Sequence, residues 1–459
     1  MFDLSMTKQN VFRVVLRVSL AFFVLLGLLV LGLERFVKSS SHDWLIRAGH
    51  LKHRLLQQDN TPVNPDDIDL DPTDAFLGSH NSTAAVWQFP PAAALVAVDK
   101  EKEKGGGNGR EGPTAPSPRG LYLLFHGCNH DPLDFFALPE DRRVTRHLLA
   151  RGYVVLALGS LDRRGRRCWG HAWPPEENPD LVHTVIALND FYKKFPQTKS
   201  LPLFAFGASS GGAFATLLPA ADGLRPRGLA VQISAGHTKA IQEEHKSFPP
   251  TVFVHMPRDE QTAALVLKRK ELLAMEGIPA LELQCKPHSI SPEMLQAALP
   301  DVGPPEWHIA LFNALHGEGL HDCHYPLDDY TGCLLTANAA ELRTYVGGDG
   351  LLLERTLQHV SEELLARAGV PPGQDPGKND IRHKVAEVAE ILKAAHGTHE
   401  LTSEHTAVWE GYLWHQYQLR HSSAAAAALA KEEADGVHRR SLIMEREGHK
   451  EEEGKRGGR

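Results

Sequence analysis

The chain has 459 residues, a formal net charge of −8, 42% hydrophobic and 23% charged residues. That length accommodates one large domain with an insertion, or two domains, and nothing in the charge balance points to nucleic acid as a partner. Five scattered cysteines (128, 168, 285, 323 and 333) imply no disulfide framework.

The N-terminus departs from this ordinary composition. Residues 14–33 are almost wholly apolar and approach the ~20 residues that span a bilayer, with Arg17 free to snorkel. The sequence therefore predicts an N-terminal region over 1–38 carrying an uncleaved single-pass transmembrane anchor. Lys8 and Arg13 precede it while Arg35 and Lys38 follow, so charge sets no orientation. A sequon at Asn81 and a possible Cys323–Cys333 pair suit a lumenal domain, which favours a secretory-pathway membrane over an organelle envelope.

Residues 39–83 read as a polar stalk with one amphipathic helix, Trp44–Gln57. Strand-like pieces follow at Val86–Phe89 and Ala94–Val98. Residues 100–119 are Gly, Pro and charge, the composition of a flexible loop. An ordered rhythm then begins. Strands are predicted at Leu121–Phe125, Tyr153–Leu158, Leu201–Phe206, Leu229–Ile233, Thr251–His255 and Ala280–Gln284. Helices are predicted between them at Val144–Arg151, Leu181–Phe195 and Thr262–Met275. Such alternation argues for βαβ units and a parallel sheet. The core is placed at 84–286. The alternation fails over 287–398, which reads as a cap-like insertion with helices at Leu351–Ala368 and Ile381–Ala395. The core ends with 399–421, including a helix over Thr402–Leu419, and 422–459 is a charged tail.

The most informative stretch is Gly207-Ala208-Ser209-Ser210-Gly211, between an apolar strand and a helix. Strand, G-x-S-x-G, helix is the nucleophile elbow, which lifts one serine above a sheet. Ser209 is the candidate nucleophile, against a bland small-residue turn. The backbone N–H of Ser210 opens the helix and is a candidate oxyanion donor. The turn His126-Gly127-Cys128-Asn129-His130 ends an earlier strand, and Cys128 is the second oxyanion candidate. The acid belongs after a later strand, where Asp259 is the choice and Glu260 the fallback. Both also read as helix N-terminal acids favourable to the dipole. The base is left open between His288, directly after the last strand, and His399, directly before the last helix.

Four arginines (163, 164, 166 and 167) form a basic loop that either meets an anionic group or is simply solvated. His316, His321, Cys323, His324 and Cys333 lack metal-ligand spacing, so no metal is expected, and no nucleotide fingerprint implies a cofactor.

The set HGCNHDPLDFF from His126, SLDRRGRRCWG from Ser160, GASSGG, HMPRDEQTA from His255 and HELTSE from His399 resembles a family of α/β-hydrolase-fold proteins of plants and algae. The resemblance runs from about Leu121 to Leu419. It implies that fold and favours His399 over His288 as base. The expectation is a membrane-anchored serine hydrolase that cleaves an ester, thioester or amide of a small-molecule or lipid acyl substrate through an acyl-enzyme. The rival is a non-catalytic ligand-binding or partner-docking protein on the same fold, favoured if neither histidine approaches Ser209.

Overall fold

Continuous apolar runs such as Leu121–Phe125 and Tyr153–Leu158 have no polar face to turn toward water, so they belong in a sheet covered on both sides. In the computed structural model, each residue of β3 (Gly120–Phe125), β4 (Tyr153–Leu158) and β5 (Leu203–Ala208) is buried. The structure describes residues 63–77, 83–95, 117–244, 248–300, 302–317, 321–322, 334–335, 353, 355–360, 381–397 and 399–422.

Three further parallel strands complete that series: β6 (Leu229–Gln232), β7 (Thr251–His255) and β8 (Ala280–Gln284). Two strands precede it, β1 (Thr73–Leu77) and β2 (Thr83–Gln88). The sheet order is β1-β2-β4-β3-β5-β6-β7-β8, with β1–β2 and β2–β4 antiparallel and the rest parallel. An eight-stranded sheet with an antiparallel second strand and a β4-β3-β5 crossover, flanked by helices, is the α/β-hydrolase fold. Helix α1 (Pro139–Ala150) packs on β4, α2 (Pro179–Lys194) on β1 and β2, and α4 (Glu260–Met275) on β7 and β8. Short helix α3 (Ser210–Ala215) follows β5.

Beyond β8 come α5 (Pro292–Ala298), α6 (Pro305–Gly317), a helical piece at 355–360 and α7 (Ile381–His396). They enclose an apolar cluster of their own, including Leu295, Leu311, Leu357, Val388 and Leu392. Helix α8, residues 406–422, returns to the sheet. Trp409 stacks on Phe206 with ring centroids 5.5 Å apart. Buried beside it, the Glu410 carboxylate accepts hydrogen bonds from Tyr153 Oη (2.6 Å) and Arg151 Nε (3.2 Å). Burial alone would raise the Glu410 pKa, but Arg119, His147 and Arg151 outweigh it and hold the group far below the usual carboxylate range.

Several expectations are corrected. The transmembrane, single-pass assignment and the membrane localisation are withdrawn: no helix among the described residues is long and apolar enough to cross a membrane. The stretch 14–33, the helix Trp44–Gln57, the sequon at Asn81, and Cys323 and Cys333 lie outside the described residues. The sheet begins within the supposed stalk, at Thr73. Residues 92–95 form a helical turn instead of a strand, since Pro90 and Pro91 deny the ladder two donors. Helix α1 starts five residues before the apolar pattern begins, because Pro139 at its first turn needs no hydrogen-bond acceptor. A disulfide joins Cys128 to Cys168 where none was expected. The two cysteines are 40 residues apart, and only the adjacency of the loops after β3 and β4 brings them together.

Candidate active site

Ser209, Asp259 and the turn with Cys128 lie at the carboxyl ends of β5, β7 and β3, where an open parallel sheet leaves its crevice. At the end of β5 the backbone turns sharply into α3, and Ser209 takes φ +52° and ψ −115°, a conformation rare for any residue but glycine. Its N–H donates to Gln232 O (2.9 Å) on β6, and its carbonyl accepts from Ala213 N (3.0 Å), which starts the helix. The turn is this tight only because its flanks lack side chains. A Cβ on Gly207 would strike the Gly211 carbonyl, and one on Gly211 would strike the carbonyls of Phe125 and His126.

Ser209 Oγ lies 2.9 Å from His399 Nε2, and His399 Nδ1 lies 2.5 Å from Asp259 Oδ2. A carboxylate only accepts, so Nδ1 carries the proton, and Nε2 is left to accept from the serine hydroxyl. Asp259 divides its labour. Its Oδ1 caps α4 by accepting from Thr262 N (3.2 Å), while Oδ2 faces the histidine. The helix-cap reading and the catalytic reading of this residue are thus compatible. Burial would raise the Asp259 pKa, but the hydrogen bonds from His399 and Thr262 outweigh it and hold the group below its usual value.

Glu260, the fallback acid, is exposed in the first turn of α4. His288 is exposed as well. Its N–H donates to Ala395 O (3.0 Å), and its side chain helps line a cavity of about 460 Å³ formed with Arg143, Met294, Ile391 and Ser403. Ser209 is not in that lining. Of the two histidines, His399 is the one hydrogen-bonded to the serine.

The loop carrying His399 is held by residues that the sequence did not single out. Buried Glu140, on α1, accepts through Oε2 from Ser403 N (2.6 Å), Ser403 Oγ (2.7 Å) and Thr402 Oγ1 (3.4 Å). Its other oxygen receives Arg143 Nη1 at 2.5 Å. Gln232 Nε2 donates to Thr402 O (2.8 Å) from the opposite side. Glu140 looks in sequence like any first-turn helix acid, and no local pattern could have tied it to a loop 263 positions away.

On the oxyanion side, the backbone N–H groups of Cys128 and Ser210 donate to nothing among the described residues. Gly127 runs beside the serine, since a Cβ placed on it would lie 3.6 Å from Ser209 Cβ. This turn is braced by buried His126. Its Nδ1–H donates to Gly127 O (2.7 Å) and its Nε2 accepts from Ser160 N (3.3 Å), a pattern only the neutral ring satisfies. Burial accordingly lowers its pKa to about 4. The Cys128–Cys168 disulfide braces the same turn covalently.

Cys285, Glu404 and His405 bring donor atoms within 4.8 Å of one another. Burial pushes the Cys285 thiol well above its usual range.

No family model and no curated protein matches the chain. Solved structures similar to it include Pyrococcus horikoshii acylaminoacyl peptidase, at 10% identity and TM-score 0.32, covering 48% of this chain and 37% of that one. A Pyrococcus furiosus esterase is 14% identical with TM-score 0.32, covering 56% and 95%. Est1E from Butyrivibrio proteoclasticus is 11% identical with TM-score 0.30, covering 47% and 89%. The chain spans 37% and 42% of the length of the two acylaminoacyl peptidase structures it matches. Likenesses this distant carry no mechanism, and the fold assignment rests on the order and direction of the strands.

Proposed function

We propose that the protein is a serine hydrolase that cleaves an ester, thioester or amide acyl bond through an acyl-enzyme. The observation that carries this reading is the hydrogen-bonded series Ser209–His399–Asp259, with the serine on a strained turn at the sheet's carboxyl edge. Serine is a poor nucleophile at its own pKa and needs a base. In the proposed reaction His399 Nε2 takes the Oγ proton as Oγ attacks the acyl carbonyl carbon. Asp259 keeps the ring in the right tautomer and stabilises the imidazolium. The free N–H groups of Cys128 and Ser210 receive the oxyanion. Collapse of the tetrahedral species expels the leaving group, which takes the proton from His399. Water then repeats the sequence in reverse and releases the acid. The reading extends to kinship with the plant and algal proteins of this fold, supported by the His-Gly-Cys and His-Glu-x-Thr-Ser pieces, since Thr402 and Ser403 are the residues clamped by Glu140.

Labelling by a fluorophosphonate probe tests the proposal. Wild type should label, Ser209→Ala and His399→Ala should not, and His288→Ala should label like wild type. Folded wild-type protein that does not label would send the assignment to the non-catalytic rival.

A further inference from the structure

The arginine-rich loop after β4 is exposed over residues 162–166, yet it is anchored to the turn beside Ser209. Its backbone is tied at several independent points. The Cys128–Cys168 disulfide bonds it to the oxyanion turn, and Asn129 N donates to Arg166 O at 2.5 Å. At its near end Asp162 Oδ1 accepts from Gly165 N (2.8 Å). Buried Asp180 gathers both flanks, accepting from Leu161 N and Gly170 N, each at 2.7 Å. Trp169 is 2% exposed, stacks on Phe214 and donates its backbone N–H toward Ser210 Oγ (3.5 Å). The loop therefore leaves beside Ser210, the residue that follows Ser209.

Its charges are not all answered. Arg163 and Arg167 both face Asp131, at 2.5 and 3.7 Å. Arg164 and Arg166 are exposed, and their side chains have no partner among the described residues. With the backbone fixed beside the turn that carries Cys128, binding an anion has only the two unpaired arginine side chains left to order. A planar fork also matches the two oxygens of a carboxylate or phosphate.

Resting on the hydrolase reading, we propose that the substrate is an acyl compound bearing a second, anionic group, which Arg164 and Arg166 hold while its acyl carbonyl sits at Ser209. The test compares p-nitrophenyl butyrate with the p-nitrophenyl monoester of glutaric acid, whose free carboxylate is ionised at pH 7.5. The full chain is used, and fluorophosphonate labelling of the same preparation serves as control. At 20 mM salt the glutarate ester should show a kcat/KM about three- to tenfold above the butyrate ester, the scale of two partly exposed ion pairs. The advantage should shrink at 500 mM salt, where the screening length falls below about 5 Å. In the double variant Arg164→Gln/Arg166→Gln, the ratio of the two kcat/KM values should fall to about one. Both positions are exposed, so the variant folds, which its unfolding midpoint verifies. Stronger competition by inorganic phosphate than by acetate would assign the anionic group to phosphate, the reverse to carboxylate. Labelling or butyrate turnover without a preference for the glutarate ester overturns this inference alone. Absence of both labelling and turnover overturns the hydrolase reading, and this inference with it.

Discussion

Asp259 offers a clean separation of structure from catalysis, because its two oxygens do different things. Asparagine is as good a helix cap as aspartate, so Asp259→Asn keeps the Thr262 contact and loses only the carboxylate's share of the dipole interaction. The cost in stability is about 0.5 kcal/mol. At the other oxygen an amide N–H2 replaces the acceptor 2.5 Å from His399 Nδ1. The ring then favours the tautomer whose Nε2 carries hydrogen, and it can no longer take the serine proton. The expected loss in kcat/KM is about 10³- to 10⁴-fold, or roughly 4 to 5.5 kcal/mol of transition-state stabilisation. Asp259→Ala should lose as much activity and a further ~1 kcal/mol of stability through the missing cap. Fluorophosphonate labelling rates and urea unfolding of the three proteins are the assays. An Asp259→Asn protein that labels within tenfold of wild type would reduce the residue to a helix cap and refute the triad. A pH series adds a second check. Because the folded pKa is depressed, the stabilisation from ionised Asp259 is present above the unfolded value near pH 4 and is lost as pH falls through the folded value. The stability gap between wild type and Asp259→Asn should therefore narrow between about pH 5 and pH 3.

Three other outcomes are expected. Glu140→Gln keeps the side chain's shape but cannot accept from both Arg143 and the Thr402–Ser403 pair. It should lower kcat by about tenfold or more with little change in KM, because it loosens the His399 loop by a fraction of an ångström, and equal kcat would refute the clamp. Removing the disulfide by Cys128→Ala/Cys168→Ala releases a 40-residue loop and should cost about 2 to 4 kcal/mol in urea unfolding, with a slower labelling rate as the oxyanion turn relaxes. Asp141 on α1 and Glu390 on α7 are buried and hydrogen-bonded to each other; burial raises both pKa values, and the Asp141 charge raises that of Glu390 further while the shared hydrogen bond partly offsets the rise at Asp141. A raised carboxyl pKa makes stability fall as pH rises above the unfolded value, so Glu390→Gln, which brings a permanent N–H donor, should stabilise the protein increasingly as pH rises above about 4.5, and a pH-independent difference would refute the shared proton.

Local pattern was enough to point to the parallel strands, to the strand-turn-helix that carries Ser209 and to an acid at the start of α4. Each of these is a short-range matter: an apolar run with no polar face, glycines two residues either side of a serine, an acid at the start of a helix. His399 was reachable only through a family resemblance. Nothing in spacing relates a residue before the last helix to one 190 positions earlier. The partners that hold the site together were beyond the sequence for the same reason. Glu140 beneath the His399 loop, Cys168 across from Cys128 and Gln232 beside Thr402 become neighbours only when strand order places β4 next to β3 and β6 next to β5. Where β1 begins was also hidden, since a five-residue strand with a mostly exposed pattern looks like polar stalk until β2 pairs with it. The sequence thus determined most of the elements and the candidate side chains, whose signals span a few residues. The tertiary structure decided which of those side chains meet, because hydrogen bonds between distant loops depend on sheet topology and leave no trace in local periodicity.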